Sequence, residues 1–237
     1  MNKYYSIAID GPSGAGKSTI ARRCASAFGF LYADTGAIYR TVGLAAFRAS
    51  VDRKDSTAIS GLLPELDIDL HYNEEGEQRM ILNGEDVSEE IRQPEISICA
   101  SDVSSLQVVR DYLMEMQRRL ARMHHVIMDG RDIGTVVLPN ADLKIFLTAS
   151  AEARAQRRLL ELKEKGVNTD YESVLSDIRY RDNQDSSREA APLRRADDAV
   201  LVDSTELTFD ETFAVISQLI LERFCINNIS SLESLDR

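Results

Sequence analysis

Gly11-Pro12-Ser13-Gly14-Ala15-Gly16-Lys17-Ser18 is the stretch on which the fold turns. It satisfies G-x-x-x-x-G-K-[ST] in full, and at ordinary residue usage a chance match somewhere in such a chain is on the order of one in a hundred. Its surroundings are those the mechanism needs. Tyr4 to Ile9 is a short apolar run of strand formers that ends at the glycine-rich turn. Ser18 to Phe28 then carries helical spacing, with Ile20, Cys24 and Ala27/Phe28 on one face. In such a unit the glycines let backbone N–H groups turn inward around phosphate oxygens, and the helix N-terminus adds partial positive charge. Residues Gly11, Pro12, Ser13, Gly14, Ala15, Gly16, Lys17, Ser18 and Thr19 are therefore expected to hold a nucleoside triphosphate. Lys17 would meet its β/γ-phosphates, Ser18 would hold Mg²⁺ through its hydroxyl, and Thr19 would stand behind it.

Outward from this loop, Val126-Ile-Met-Asp129, Leu143-Lys-Ile-Phe-Leu147 and Ala199-Val-Leu-Val-Asp203 read as further buried strands, each with a helical stretch beside it. Strands alternating with helices predict crossovers and a parallel sheet, an α/β fold. One segment departs from this rhythm. Asp67 to Tyr72 alternates at period two, Asn73 to Glu77 is a turn, and Gln78 to Leu82 runs into Asn83-Gly84, a hairpin signal. A small antiparallel insert is expected there. Pro94 to Arg122 reads as helix broken near Ser104-Ser105, with Val108, Tyr112, Met116 and Leu120 as its core stripe. Ala151 to Lys165 is a charged helix stopped at Gly166. Val167 to Arg195 is polar and reads as exposed and mobile, and Thr208 to Phe224 is a last helix.

The whole chain, 237 residues, suits one large domain or a domain with an insertion at about 150 residues per domain. With 28 Lys+Arg against 39 Asp+Glu the net charge is -11, which argues against polymeric nucleic acid and anionic membrane as partners. Cys24, Cys99 and Cys225 are odd in number and widely spaced, which points to reduced, buried thiols rather than a disulfide framework or zinc site. The N-terminal apolar run is too short for a signal segment and no run reaches a membrane span, so a cytoplasmic protein is expected.

The loop names a triphosphate and leaves the acceptor open. No Asn-Lys-x-Asp reads guanine, and no ABC-type signature is present. Asp34-Thr-Gly-Ala-Ile-Tyr-Arg40, one βα unit downstream, and Asp129-Gly-Arg-Asp132, at a predicted strand end, lie where open α/β sheets bind ligands. Arg40 and Arg131 could there offer forked donors to a second phosphate. Kinases for shikimate, gluconate or dephospho-coenzyme A, and a sensor that binds ATP without transfer, are the competing readings.

These segments, with Gly84-Glu-Asp-Val-Ser88, Ile91-Arg92, the full block Asp129-Gly-Arg-Asp-Ile-Gly-Thr-Val-Val137 and Ala191-Pro-Leu193, resemble the bacterial cytidylate kinases, in the same order from about Ser6 to Phe224. The resemblance implies a three-layer P-loop kinase fold: a five-stranded parallel sheet, a small antiparallel β-containing nucleotide-binding insert and a short helical lid. Residues 1–225 would form one domain, with core about 1–62 and 105–225, insert about 63–104 and lid about 166–190. The tail 226–237 is expected to be disordered. The implied reaction moves the γ-phosphoryl of ATP, with Mg²⁺, to CMP or dCMP, in a protein expected to be a monomer. Carried over by position, Ser101, Arg110 and Asp132 would read cytosine. Thr35, Arg40, Arg131 and Arg188 would surround the CMP phosphate, with Arg181 and Asp185 on the lid side near ribose and phosphates. Lys17, Arg131, Arg181 and Arg188 would share the developing charge. Without the resemblance, Ser101, Arg110 and Asp185 read as surface residues. A CMP phosphate oxygen is ionised at neutral pH, so no general base is needed, and His71, His124 and His125 are expected in solvated or helix-end roles.

Overall fold

The computed structural model describes residues 4–164 and 166–224. The expectations for the tail 226–237 and for Cys225 fall outside the described residues. In chain order the elements are β1 (Ser6–Asp10), α1 (Lys17–Phe28), β2 (Leu31–Asp34), α2 (Thr35–Arg48) and α3 (Ser56–Leu62). The small strands β3 (Ile68–Tyr72), β4 (Gln78–Leu82) and β5 (Glu85–Asp86) follow, then α4 (Pro94–Ser104), α5 (Gln107–Met123), β6 (Val126–Gly130) and β7 (Leu143–Thr148). The chain continues through α6 (Ala151–Glu164), α7 (Tyr171–Ser187), β8 (Val200–Asp203) and α8 (Phe209–Phe224).

The main sheet has five strands in the order β2-β6-β1-β7-β8, all parallel. Both faces of the central strands are covered, so β1, β6 and β7 are apolar at most positions, while the edge strand β8 buries only Val202. Ile7, Ile9, Ile145 and Leu147 pack with Ile20, Cys24 and Phe28 of α1 and Ile216 and Ile220 of α8, while Ala8 and Met128 face the other way with Ile133 and Val137. β1 is flanked by β6, which follows β2 in the chain, and by β7, which leads to the opposite edge. The strand order therefore reverses at the carboxyl end of β1, where a crevice opens in sheets of this kind.

A second, three-stranded antiparallel sheet, β3-β4-β5, forms as the alternating pattern predicts. Asn83 and Gly84 take φ of 52° and 82° between paired Leu82 and Glu85, the two-residue hairpin that matches strand twist. This sheet shares a core with α2, α4 and α5: Met80, Leu82, Ile91, Ile96, Leu44 and Leu113 are all buried together. It is pinned to the main sheet by Tyr72, whose hydroxyl donates to the Tyr32 carbonyl at 2.8 Å. Gln78 exchanges two hydrogen bonds with the Asp34 backbone at 2.8 and 3.1 Å.

Three readings of the pattern need correction. The fully buried face of α5 is Val109, Arg110, Leu113 and Gln117, one residue along from the expected stripe, of which Val108, Met116 and Leu120 pack half-buried at the core margin and Tyr112 is exposed with its hydroxyl on the Leu66 carbonyl. The stretch after Gly166 is not exposed throughout, since its helix α7 has a buried face. Val174, Leu175 and Ile178 bury against Ala155 of α6, and Asp170 caps α7 by accepting from Ser173 N–H at 2.9 Å. His125 is neither solvated nor a dipole partner: its Nδ1 accepts from Tyr5 N–H at 3.0 Å and its ring stacks on Tyr5. Among the described residues no helix is long and apolar enough to cross a membrane.

Candidate active site

The glycine-rich loop leaves β1 under a tight constraint. Gly11 has φ +151°, and a Cβ there would lie 1.9 Å from the Leu147 carbonyl oxygen, so the chain can pass β7 only without a side chain. The loop then closes on itself, with Lys17 Nζ donating to the Pro12 carbonyl at 2.8 Å, and Gly16 enters α1 from the left-handed region. This places the N-terminus of α1 at the end of β1, with the first-turn N–H groups free for an anion.

Acids at strand ends surround the lysine. Asp129, the fourth residue of β6, accepts from Ser18 Oγ at 2.8 Å and from Tyr32 Oη at 2.9 Å, while its carbonyl accepts from Thr35 Oγ1 at 2.7 Å. Asp10, at the end of β1, accepts from the Ile133 and Gly134 N–H groups at 2.7 Å each and so anchors the single π-helical turn Ile133–Val137. Burial dominates their titration. It pushes Asp10 up to about 6 against the pull of those two N–H groups. Burial and then the Asp34 carboxylate push Asp129 upward. Lys17 is brought down to about 7 by burial and by the Arg131 guanidinium, with Asp129, Asp185 and Asp10 opposing. A buried lysine so disfavoured as a cation is one that an arriving phosphate would recharge.

Two clusters carry most of the residues singled out in the sequence. In the first, Lys17 shares its surroundings with Arg131, whose Nε donates to Asp185 Oδ2 of α7 at 2.6 Å. Burial opposes the Arg131 charge, yet Asp185 and Asp129 outweigh it and hold the group above its ordinary value. In the second, Arg110 of α5 pairs with Asp132 and donates to the Ser104 carbonyl at 3.0 Å. Its guanidinium lies 5.5 Å from the centre of the Tyr39 ring, and Arg188 Nη2 lies 3.6 Å from Asp132 Oδ1. Arg110 is 1% exposed, against the surface position its charge alone suggests. The block Asp129-Gly-Arg-Asp132 joins the clusters through three peptide bonds.

The remaining residues lie around these two. Arg40 is held by Asp34 at 2.8 Å and lines a pocket with Arg22, Gln78, Ser88 and Arg92 between the start of α2 and the small sheet. Arg181 on α7 is depressed by burial and by Arg158, Arg188 by burial and by Arg110. Ser101 is half-buried on α4, Thr19 is exposed on α1, and the Thr35 hydroxyl is committed to the Asp129 carbonyl. Sequence reading quoted Asp129 without giving it a role and passed over Asp10, Tyr32 and Arg154. A carboxylate closing an otherwise apolar strand was the available signal for the two acids. Among the described residues no group of three or more His, Cys, Asp or Glu could hold a metal alone. The Ser18 hydroxyl beside a buried carboxylate is nevertheless a hard oxygen pair, and that suits Mg²⁺, which takes one or two protein ligands and completes its shell with phosphates and water.

A doubly covered parallel sheet, a phosphate loop at its strand-order reversal and arginines converging on that crevice define the class: a P-loop nucleotide-binding phosphotransferase. The family model for cytidylate kinase matches residues 7–222, and the chain belongs to that family. The cytidylate kinase of Caldicellulosiruptor bescii is 52% identical over 217 residues, covering 92% of this chain and 96% of that one. That of Lactobacillus johnsonii is 48% identical over 223 residues, covering 94% and 96%, and that of Geobacter sulfurreducens 49% over 217, covering 92% and 93%.

Proposed function

We propose that this protein transfers the γ-phosphoryl group of ATP to CMP or dCMP, giving ADP and CDP or dCDP, in the cytoplasm. The observation that carries this reading is the pairing of two built clusters, one around Lys17 and one around Arg110 and Asp132, joined by the single four-residue link Asp129-Gly-Arg-Asp132. The first is suited to polyphosphate and the second to a base edge. A cytosine presents O2 and N3 as acceptors and N4 as a donor, which Arg110, Ser101 and Asp132 can match between them. Uracil would set O4 against the Asp132 carboxylate, acceptor against acceptor, at about 1–3 kcal/mol.

On this reading the insert, about 63–104, and the lid, about 166–190, close over the crevice and exclude water. Lys17, Arg131, Arg181 and Arg188 orient the two phosphates and take up the charge that develops in flight, while the CMP phosphate oxygen attacks without a general base. Arg40, Thr35 and Asp185 complete the acceptor side. Ser18 and Asp129 would hold Mg²⁺, which when bound neutralises charge across the β- and γ-phosphates. The test is ADP release from ATP and Mg²⁺ in parallel with CMP, dCMP, UMP, AMP and no acceptor. Turnover with CMP and dCMP, little with AMP and slow hydrolysis alone supports the reading; ADP release independent of acceptor refutes it.

A further inference from the structure

Arg154, on the first turn of α6, is absent from the phosphate and base clusters, yet it is among the most completely bonded side chains of the protein. Its Nε donates to the Ala149 carbonyl at 2.9 Å, directly after β7. Its Nη1 donates to the Ser13 carbonyl in the phosphate loop at 2.9 Å and to Asp182 Oδ1 on α7 at 3.0 Å, and its Nη2 to Asp182 Oδ2 at 2.6 Å. The side chain is 5% exposed. A forked guanidinium meets a carboxylate with two nitrogens and still reaches two carbonyls, which an ammonium could not do.

We propose that Arg154 is a positioning residue that sets the phosphate loop and α7 in register with each other; this rests on the phosphoryl-transfer reading above. Two consequences follow from its bonds. A trans peptide points its carbonyl and the next N–H in opposite directions. Holding the Ser13 carbonyl toward α6 therefore turns the Gly14 N–H away from α6, toward the side the loop encloses, where a phosphate oxygen needs a donor. A Cβ on Gly14 would sit 3.4 Å from Arg154 Cβ, so α6 presses directly against this peptide. The second consequence concerns α7. Asp182 follows Arg181 directly and precedes Asp185 by three residues, so the Arg154 fork fixes the rotation at which α7 presents both to the crevice, and Arg188 follows as the residue that closes the helix. One buried cation thus ties the donor cradle to the helix that carries charge to the transferring group.

Two variants separate the limbs. Arg154→Met keeps the apolar stem and drops all four bonds. Its calorimetric affinity for ATP should fall about tenfold, the order expected for one charge-assisted hydrogen bond. Its CMP-dependent kcat should fall about a hundredfold, the cost of a misplacement of about 1 Å. The preference for CMP over UMP should move less than about threefold, because Ser101 and Arg110 sit on other helices, while the KM for CMP should rise with the loss of the contacts that Asp185 and Arg188 make. The share of ATP hydrolysed without CMP should rise. Asp182→Asn leaves the Ser13 bond in place, so ATP affinity should stay at the wild-type value while the acceptor-free share still rises. Arg154→Lys replaces the methionine variant if that one does not fold. An Arg154 variant with wild-type ATP affinity and a wild-type ratio of acceptor-free to CMP-dependent turnover, whatever its melting temperature, overturns the proposal. Failure of the phosphoryl-transfer reading looks different: the wild-type protein would bind ATP and release no ADP with any nucleotide. The ATP affinities of the two variants would then decide the positioning role alone.

Discussion

Asp132→Asn separates stability from base reading in one substitution. The Asp132 carboxylate accepts from Arg110 and lies 3.6 Å from Arg188, and the three side chains are 5%, 1% and 6% exposed. The amide keeps the shape and removes the charge, so two guanidiniums face one another out of water with their shared counter-ion gone. Breaking a buried pair in this way costs about 3–5 kcal/mol. At about 2–4 °C per kcal/mol for a chain of this size, the melting temperature should fall by roughly 6–20 °C. The effect on the base has another origin. An asparagine can turn its NH₂ toward uracil O4, which relieves the acceptor clash of about 1–3 kcal/mol, so the ratio of kcat/KM for CMP over UMP should drop about 5- to 150-fold. Coupled ADP release with each nucleotide, measured well below the variant's melting temperature, keeps the two effects apart. A variant that melts early but keeps the wild-type CMP-to-UMP ratio refutes Asp132 as a base reader. One that loses the ratio at an unchanged melting temperature refutes the buried pair as a source of stability.

Lys17→Ala should fold and bind CMP yet lose turnover by about 10³–10⁵, by analogy with a single well-placed cation in phosphoryl transfer; retained turnover in the ADP assay would remove the loop from the mechanism. The Lys17 pKa also gives a pH signature. Its folded value of about 7 lies below the unfolded 10.5, so between these the unfolded chain holds the extra proton and this residue's contribution makes stability rise with pH. Denaturant midpoints should show that increment in the wild-type protein and lose it in Lys17→Ala, and ATP binding near pH 8 should take up a proton, read as a buffer-dependent heat. Asp129→Asn should weaken Mg²⁺ affinity by about 10–100-fold with ATP bound, since the carboxylate orients Ser18 Oγ; calorimetry with ATP alone should show little change. Gly11→Ala should fail to fold or should lose ATP binding outright, because its methyl group meets the Leu147 carbonyl; a stable variant that binds ATP would contradict the close approach.

Where the sequence could be read, it was through apolar continuity. β1, β6 and β7 are buried on both faces, so their runs stand out, β8 is an unbroken apolar triplet although only Val202 of it is buried, and the Asn83-Gly84 turn announces its own hairpin. β2 gave no such signal because Leu31-Tyr32-Ala33-Asp34 holds no β-branched residue, whereas the equally short β8 begins Val-Leu-Val. The one-residue error on α5 has a different cause. Arg110 and Gln117 are polar, so a pattern that equates polar with exposed assigns the buried face to Val108 and Tyr112, although Arg110 is sealed by Asp132 and Tyr39. Long-range pairing is invisible to periodicity, and two of the three partners of Arg154 depend on it: Ser13 and Asp182 lie 141 and 28 residues away. The candidate site became legible only where motif spacing substitutes for three-dimensional proximity.

The acidic balance of the chain poses a question for a protein proposed to bind two polyanions, and the arginines answer it. In the free protein Arg40 rests on Asp34, Arg131 on Asp185, and Arg110 with Arg188 around Asp132. Phosphates that enter would exchange with carboxylates already in place, so the donors need little reorganisation to meet them. The exchange is not equally favourable everywhere. Arg131 is held above its ordinary pKa by Asp185 and Asp129, whereas burial and neighbouring arginines depress Arg181 and Arg188, and Arg188 Nη2 is buried without a hydrogen-bond partner. The under-compensated cations are Arg181 on α7 and Arg188 directly after its last residue. A phosphate oxygen arriving there relieves repulsion and desolvation together, while one arriving at Arg131 must first displace a carboxylate. The electrostatic drive for nucleotide binding is therefore concentrated on α7 and the residue that closes it, in the segment proposed to close, so closure and charge neutralisation become a single event rather than two.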